Sequence, residues 1–232
     1  MQPDEKDVSG ALEIELQDER VLLHPERALV WPGRRTLLIA DPHFGKDDVF
    51  RRAGIALPRG PAIADLQRVT SLIEHYACER LVVLGDFVHA ATHDGDSFLH
   101  AFAVWRRAHA QLSVEVIAGN HDRRENAARW TNVAQWRTAP LSEPPFVFAH
   151  EPAKHLNGYV LAGHIHPVTH LTRIRRRVRV PVFWQRPDYL VMPSFGSFTG
   201  GATIDPEPTD ELFAVGPERV IALGGAGAAQ RP

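Results

Sequence analysis

Three short apolar runs, each closing on a polar residue, constrain the fold of this chain more than any other feature. Thr36 to Ala40 runs into Asp41, Leu81 to Gly85 into Asp86, and Ser113 to Gly119 into Asn120. Apolar runs of this length bounded by turn formers read as buried strands. Between them, Pro61 to Ala77 and Ser97 to Ala110 repeat their apolar positions at helical spacing, and Arg123 to Trp130 reads as a short helix. Ahead of them, residues 11 to 35 alternate apolar and polar positions in runs broken at Asp18, Pro25 and Pro32-Gly33, the pattern of an antiparallel meander. After Pro144-Pro145 the helical spacing disappears. FVFAH, YVLAGHIHP, a basic strand from Thr172 to Phe183, YLVMPS, ELFAV and ERVIAL follow as short strands. Helices between strands in the first half and consecutive strands in the second predict two packed sheets flanked by helices.

A chain of 232 residues with 44% hydrophobic content can bury one substantial core. A single domain is expected over 1–222, with 223–232 a disordered tail that has almost nothing to bury. The formal net charge of −2 offers nucleic acid or an anionic membrane no global attraction, so any polyanion must be bound locally. The single cysteine, Cys78, excludes an internal disulfide and reads as a packed helix-face residue. No apolar stretch approaches the roughly 18 residues of a membrane span, and no amphipathic anchor accompanies the chain. A cytoplasmic location is the expectation, and a symmetric homodimer is compatible with the sequence.

Residues of metal-ligand type recur where strands end, which is where open sheets place their sites. Asp41 and His43 follow LLIA, Asp86 follows LVVLG, and Asn120 and His121 follow VEVIAG. His150 follows FVFA, and His164 and His166 follow YVLAG. Side chains two apart on extended backbone point the same way, so Asp41 with His43, and His164 with His166, can each address one point. Taken singly, an Asp after a strand is a turn former and a His near an apolar run is a hydrogen-bonded core residue. Five such places, three of them adjoined by glycine, point instead to one shared site.

The blocks DPH, GD, GNHD, a lone His and GHIH, in that order from Asp41 to His166, resemble the calcineurin-like metallophosphoesterases. The resemblance implies an α/β, four-layer αββα sandwich with two mixed sheets, and two divalent metal ions. It assigns Asp41, His43 and His166 to one metal, Asn120, His150 and His164 to the other, and Asp86 as the bridge. Manganese is the first expectation, with iron and zinc as alternatives; the donors include no thiolate, which argues against a cysteine-based zinc site. The implied chemistry is attack by a metal-activated water on phosphorus, with the cations clamping the displaced oxygens. His121 is the expected catalytic group, beside Asn120, stabilising the transition state or protonating the leaving oxygen. Many relatives place an Asp three residues after the Gly-Asp pair to orient this histidine; here that residue is His89. Asp122 or the bridging site is left to orient His121, and His89 reads as a substrate contact or as a packed or surface histidine. His93, Asp94 and Asp96 fall in an expected loop.

DPHFGKDDVFRRAGIALPRG, GDFVHA and PSFGSFTGG resemble more closely the bacterial ligase-associated DNA damage response endonucleases, the PdeM group. That resemblance implies manganese-dependent cleavage of DNA phosphodiesters and association with a DNA ligase and DNA-processing enzymes. Lys46, Arg51, Arg52, Arg59, Arg123 and Arg124 are the cations expected to line a groove to the metals. The run RIRRRVRV would put Arg173, Arg175, Arg177 and Arg179 on one face of a strand, as a phosphate contact or as a charged solvated edge. Phe44, Phe50, Phe195 and Phe198 either stack on bases or fill the core. PSFGSFTGG reads as tight turns beneath the site, since no clear helix follows it. A small-molecule phosphoesterase acting on a nucleotide or phosphomonoester, and a non-catalytic scaffold, remain the competing functions.

Overall fold

The computed structural model describes residues 10–54, 60–90, 93, 96–122, 134–173 and 176–225. The chain opens as the expected meander: β1 (Leu12–Leu16), β2 (Glu19–His24), β3 (Ala28–Trp31) and β4 (Thr36–Ala40) pair antiparallel in turn. Gln17 and Asp18 close the first hairpin with φ of 56° and 61°. Positive φ at both central residues marks the turn whose twist matches the strands it joins.

From β4 onward the sheet becomes parallel. β5 (Arg80–Leu84), β6 (Ser113–Ile117) and β7 (Gln135–Arg137) follow in order, with Ile39 opposite Val83 and Val83 opposite Val116. The crossovers carry α1 (Lys46–Arg52), α2 (Pro61–His75) and α3 (Ser97–Ala108). Alternation along β4 explains why its run is apolar throughout. Leu37 and Ile39 join a core with Val69, Leu72 and Phe102 of the helices, while Leu38 and Ala40 join Phe146, Phe148 and Leu161 of the second sheet. A strand covered on both faces has no solvent side to mark with polar residues.

The second sheet is built from β8 (Leu141–Glu143), β9 (Phe146–Phe148), β10 (Tyr159–Ala162), β11 (Pro167–Arg173), β12 (Arg176–Gln185), β13 (Tyr189–Val191), β14 (Ala202–Thr203), β15 (Glu211–Val215) and β16 (Val220–Gly225). Its order is β14-β11-β12-β13-β10-β9-β8, with β15 on β12 and β16 on β15. Parallel and antiparallel pairs mix in both sheets. Trp31 packs edge-on against Phe146 and Phe148 between the sheets, at 4.9 and 6.4 Å between ring centroids. Arg80 of β5 reaches across to both carboxylate oxygens of Glu143 on β8. Together these elements form an α/β sandwich of two face-to-face mixed sheets, with the described helices against the outer face of the first. No helix among the described residues is long and apolar enough to cross a membrane.

Several elements differ from the sequence reading. The basic strand expected from Thr172 to Phe183 is a hairpin in which Arg173 ends β11 and pairs with Arg176 of β12. The four alternating arginines therefore do not share one strand face. The run carries none of the usual turn residues, so nothing in it marks the reversal. Strands β7, β8 and β14 and helix α1 are too short to show periodicity. Strand β16 continues to Gly225, into the segment read as tail, and the helix read over 123–130 lies outside the described residues.

Cys78 is buried as expected, but it lies past the end of α2 and not on a helix face, its amide bonded to the Ile73 carbonyl. Burial pushes its thiol up from 9.0 to about 11. That change leaves about a hundredth of the ordinary thiolate at pH 8. Alkylation by iodoacetamide at that pH is expected to be about a hundredfold slower in the native protein than in urea; equal rates would show that this end of α2 opens freely.

Candidate metal centre

The loops that follow β4, β5, β6, β9 and β10 converge on one point, where the two sheets meet. Phe195 donates its amide to the Ala40 carbonyl at 2.7 Å, and Ser194 donates its hydroxyl to the Asp41 carbonyl at 2.7 Å. The segment after β13 is thereby stitched to the end of β4.

Backbone strain is concentrated here. Asp41, His43, Asp86, His164 and His166 have φ of 46°, 46°, 37°, 71° and 50°. Left-handed backbone is uncommon outside glycine and costs on the order of 1–3 kcal/mol per residue, so it persists where the surroundings over-determine it. Those surroundings are visible. The His43 amide donates to the Asp86 carbonyl at 2.9 Å and the His164 amide to Asp41 Oδ2 at 2.6 Å. The His121 amide donates to Asp86 Oδ1 at 2.9 Å.

The glycines beside the ligand-type residues have a steric role. A Cβ on Gly85 would lie 1.7 Å from His150 Nδ1, on Gly119 2.2 Å from Asp86 Oδ1, and on Gly163 2.4 Å from Asp41 Oδ2. Each glycine clears the space that a site side chain from another loop occupies.

All seven expected ligands are brought together. His43 Nε2 is 3.6 Å from Asp86 Oδ2, and His166 Nε2 is 3.4 Å from Asp41 Oδ2. His150 Nδ1 is 3.4 Å from Asp41 Oδ1, and its Nε2 is 2.9 Å from Asn120 Oδ1 and 3.0 Å from His164 Nδ1. Asp41, Asp86 and His150, all buried, offer donor atoms within 4.8 Å of one another. Asp41 Oδ1, His150 Nδ1 and His166 Nε2 are buried without a hydrogen-bond partner. Buried polar atoms are rarely left so, and both imidazole nitrogens face the Asp41 carboxylate, the arrangement a cation satisfies. Carboxylate, imidazole and amide donors without a thiolate suit borderline or hard divalent ions.

Electrostatics agree with that fit. Burial acts to raise the Asp41 carboxyl, but the adjoining His150 and His166 imidazoles overcome it and hold the group at about 2. Burial acts to lower His150, and Asp41 overcomes it, with Asp86 adding to the rise. A proton on His150 and a bound cation are alternative ways of placing positive charge beside these carboxylates.

His121 is exposed beside the cluster, its ring 5.2 Å from His43 and stacked on His89 at 5.5 Å. Asp122 is committed elsewhere. It accepts the amides of Phe87, Val88 and Gly119 and ties the two metal loops together. Burial, opposed by those amides and aided by Asp86, pushes its carboxyl up to about 6. His89 is a packed site residue, its Nδ1 3.4 Å from His43 Nδ1, and burial together with Lys46 and His121 lowers it to about 4.

The expected substrate contacts divide. Lys46 sits beside Phe50 and lines a small cavity with His43. Arg51 is ion-paired within α1 to Asp47 and Asp48 and also reaches the Ser97 hydroxyl, while Arg52 ties α1 to Asp96. Phe44 stacks on Phe98 in the core, Phe195 lies under Arg68, and Phe198 is exposed. Arg59, Asp94, Arg123, Arg124 and Arg175 lie outside the described residues. The sequence reading missed Ser194 as the support of Asp41; the only signal was its place in PSFGSFTGG.

Such a site on such a fold defines a metal-dependent phosphoesterase. The family model for calcineurin-like phosphoesterases matches residues 34–224, and the chain belongs to that family. Among solved structures, nuclease MPE of Pseudomonas putida is similar at 36% identity and a TM-score of 0.78, over 92% of this chain and 100% of that one. Two further structures match more loosely. A protein of unknown function from Aquifex aeolicus has 16% identity and a TM-score of 0.41, over 60% of this chain and 81% of its own. The phosphoesterase Yfce of E. coli has 14% identity and a TM-score of 0.41, over 82% and 92%. No curated protein sequence matches this chain.

Gly85→Ala places a methyl against His150 at a φ of 84°. It is expected to abolish most of the thermal stabilisation that manganese gives the metal-stripped protein. Full retention of that stabilisation would mean that His150 contributes nothing to the metal.

Proposed function

We propose that this phosphoesterase cleaves phosphodiesters of nucleic acid, with DNA as the first candidate, using two divalent cations. The observation that carries the reading is the likeness to a nuclease across nearly the whole chain, joined to a complete set of ligand-type residues. Asp41, His43 and His166 would hold one cation, Asn120, His150 and His164 the other, with Asp86 between them. When bound, the cations supply Lewis-acid charge at the phosphoryl oxygens and activate water. Manganese is the first choice of metal.

The protein's own groups set the rest. His121 projects at the rim of the cluster, where an imidazole donates a hydrogen bond to the phosphoryl oxygen or protonates the leaving alkoxide. His89 stacks on it and positions its ring, in the place where many relatives carry an Asp. The closer resemblance in DPHFGKDDVFRRAGIALPRG and PSFGSFTGG supports a role in DNA repair, in the cytoplasm, beside a DNA ligase and DNA-processing enzymes.

Metal-stripped protein reloaded with manganese is to be tested on supercoiled plasmid, bis-p-nitrophenyl phosphate and p-nitrophenyl phosphate, with Asp86→Ala as control. Plasmid nicking and diester hydrolysis, both lost in Asp86→Ala, are the expected result; monoester turnover with intact plasmid would replace this reading with a small-molecule phosphatase. His121→Ala is expected to lower kcat by about 10²- to 10⁴-fold, the ordinary range for a general acid. Full turnover in that variant with metals bound would remove His121 from the mechanism.

A further inference from the structure

We propose that a groove beside His166 is a phosphate subsite, taking the phosphodiester next to the scissile one along a nucleic-acid strand; this rests on the nucleic-acid reading above. The groove measures about 180 Å³, and its charged lining is Arg27 and Arg179, beside His166, with no carboxylate among the described residues. That is the volume of about six waters at roughly 30 Å³ each. A phosphate fits.

Both arginines are held by backbone carbonyls, and Arg179 in a way that leaves its charge for a ligand. Arg27 Nη1 donates to the carbonyls of Ser194 and Gly196 at 3.3 and 3.4 Å, and Arg179 donates to the carbonyl of Gly201. Carbonyls fix a guanidinium in place without neutralising it, unlike the carboxylates that pair with Arg51 and Arg52. Arg27 shares the carboxylates Glu26 and Asp65 with Arg68, so the groove's uncompensated charge rests on Arg179.

Geometry ties the groove to the reacting centre. The Ala202 amide donates to the His166 carbonyl at 3.0 Å, and a Cβ on Gly201 would lie 2.5 Å from that same oxygen. The glycine-rich segment is thus packed directly on a metal-site residue. On the other side, Lys46 and His43 line a second small cavity, and Thr199 borders both. The His43 and His166 rings are 5.2 Å apart. A strand crossing the metal residues meets Lys46 on one side and two arginines on the other, whereas a phosphomonoester uses only the centre. Local cations of this kind are what a chain of net charge −2 needs in order to hold a polyanion.

The test compares manganese-loaded wild type, Arg179→Ala and Arg179→Lys on a single-stranded decathymidylate and on bis-p-nitrophenyl phosphate, which has no second phosphate. In Arg179→Ala the ratio of kcat/KM for the oligonucleotide to that for the small diester is expected to fall about tenfold, through KM, as for loss of one charge-assisted hydrogen bond. The plot of log KM against log salt should flatten by about 0.7, the contribution of one phosphate on a single strand. Arg179→Lys should recover the slope. An unchanged ratio, or an equal fall on both substrates, in a wild type that cuts the oligonucleotide would overturn the subsite and leave the nuclease reading standing. A wild type that hydrolyses the small diester but no oligonucleotide or plasmid would overturn both.

Discussion

A carboxylate with no solvent exposure governs the arrangement of this molecule. Asp41 is fully buried, yet it is held ionised by the imidazoles of His150 and His166 and by the His164 amide. A charge buried without compensation would cost several kcal/mol, so its partners have to be delivered from wherever the chain can supply them. Here they come from loops after β9 and β10 in the second sheet, while Asp41 itself ends β4 in the first. The electrostatic requirement of one residue therefore fixes where the two sheets face each other. The Ser194 hydroxyl on the Asp41 carbonyl and the Phe195 amide on the Ala40 carbonyl secure the same junction from β13.

Strain and space follow from this requirement. Five loops cannot converge on a volume a few ångströms across with ordinary extended backbone, and five of the seven ligand-type residues accept left-handed φ instead. The glycines at 85, 119 and 163 keep the volume open, since a methyl on any of them would meet a site side chain from another loop. Asp122 joins the loops after β5 and β6 through three amides, so its carboxylate serves the scaffold and not the ring of His121. That ring rests on His89.

Much of this was legible in the sequence because polar residues at the ends of buried strands have few innocent explanations when they recur. The meander, the strand at Thr36–Ala40, the strand ending at Leu84 and the helix beginning at Pro61 all follow from periodicity and turn residues. Other features depend on partners far away in the chain. Arg51 and Arg52 looked like groove cations until Asp47, Asp48 and Asp96 proved to hold them. Arg27 carried no signal at all, because its carbonyl partners lie 167 and 169 positions further on. The β11–β12 hairpin was hidden by an arginine run without a turn former, whose alternation mimics one continuous strand.

On the proposed reading, residues at five strand ends form one paired cation site organised around Asp41 and Asp86. Calorimetric titration of manganese into the metal-stripped chain measures it directly. Two ions per chain in the wild type, with Asp86→Asn weakening both and Asn120→Ala weakening one, is the predicted result. A single ion per chain, or binding indifferent to Asp86→Asn, would contradict the account.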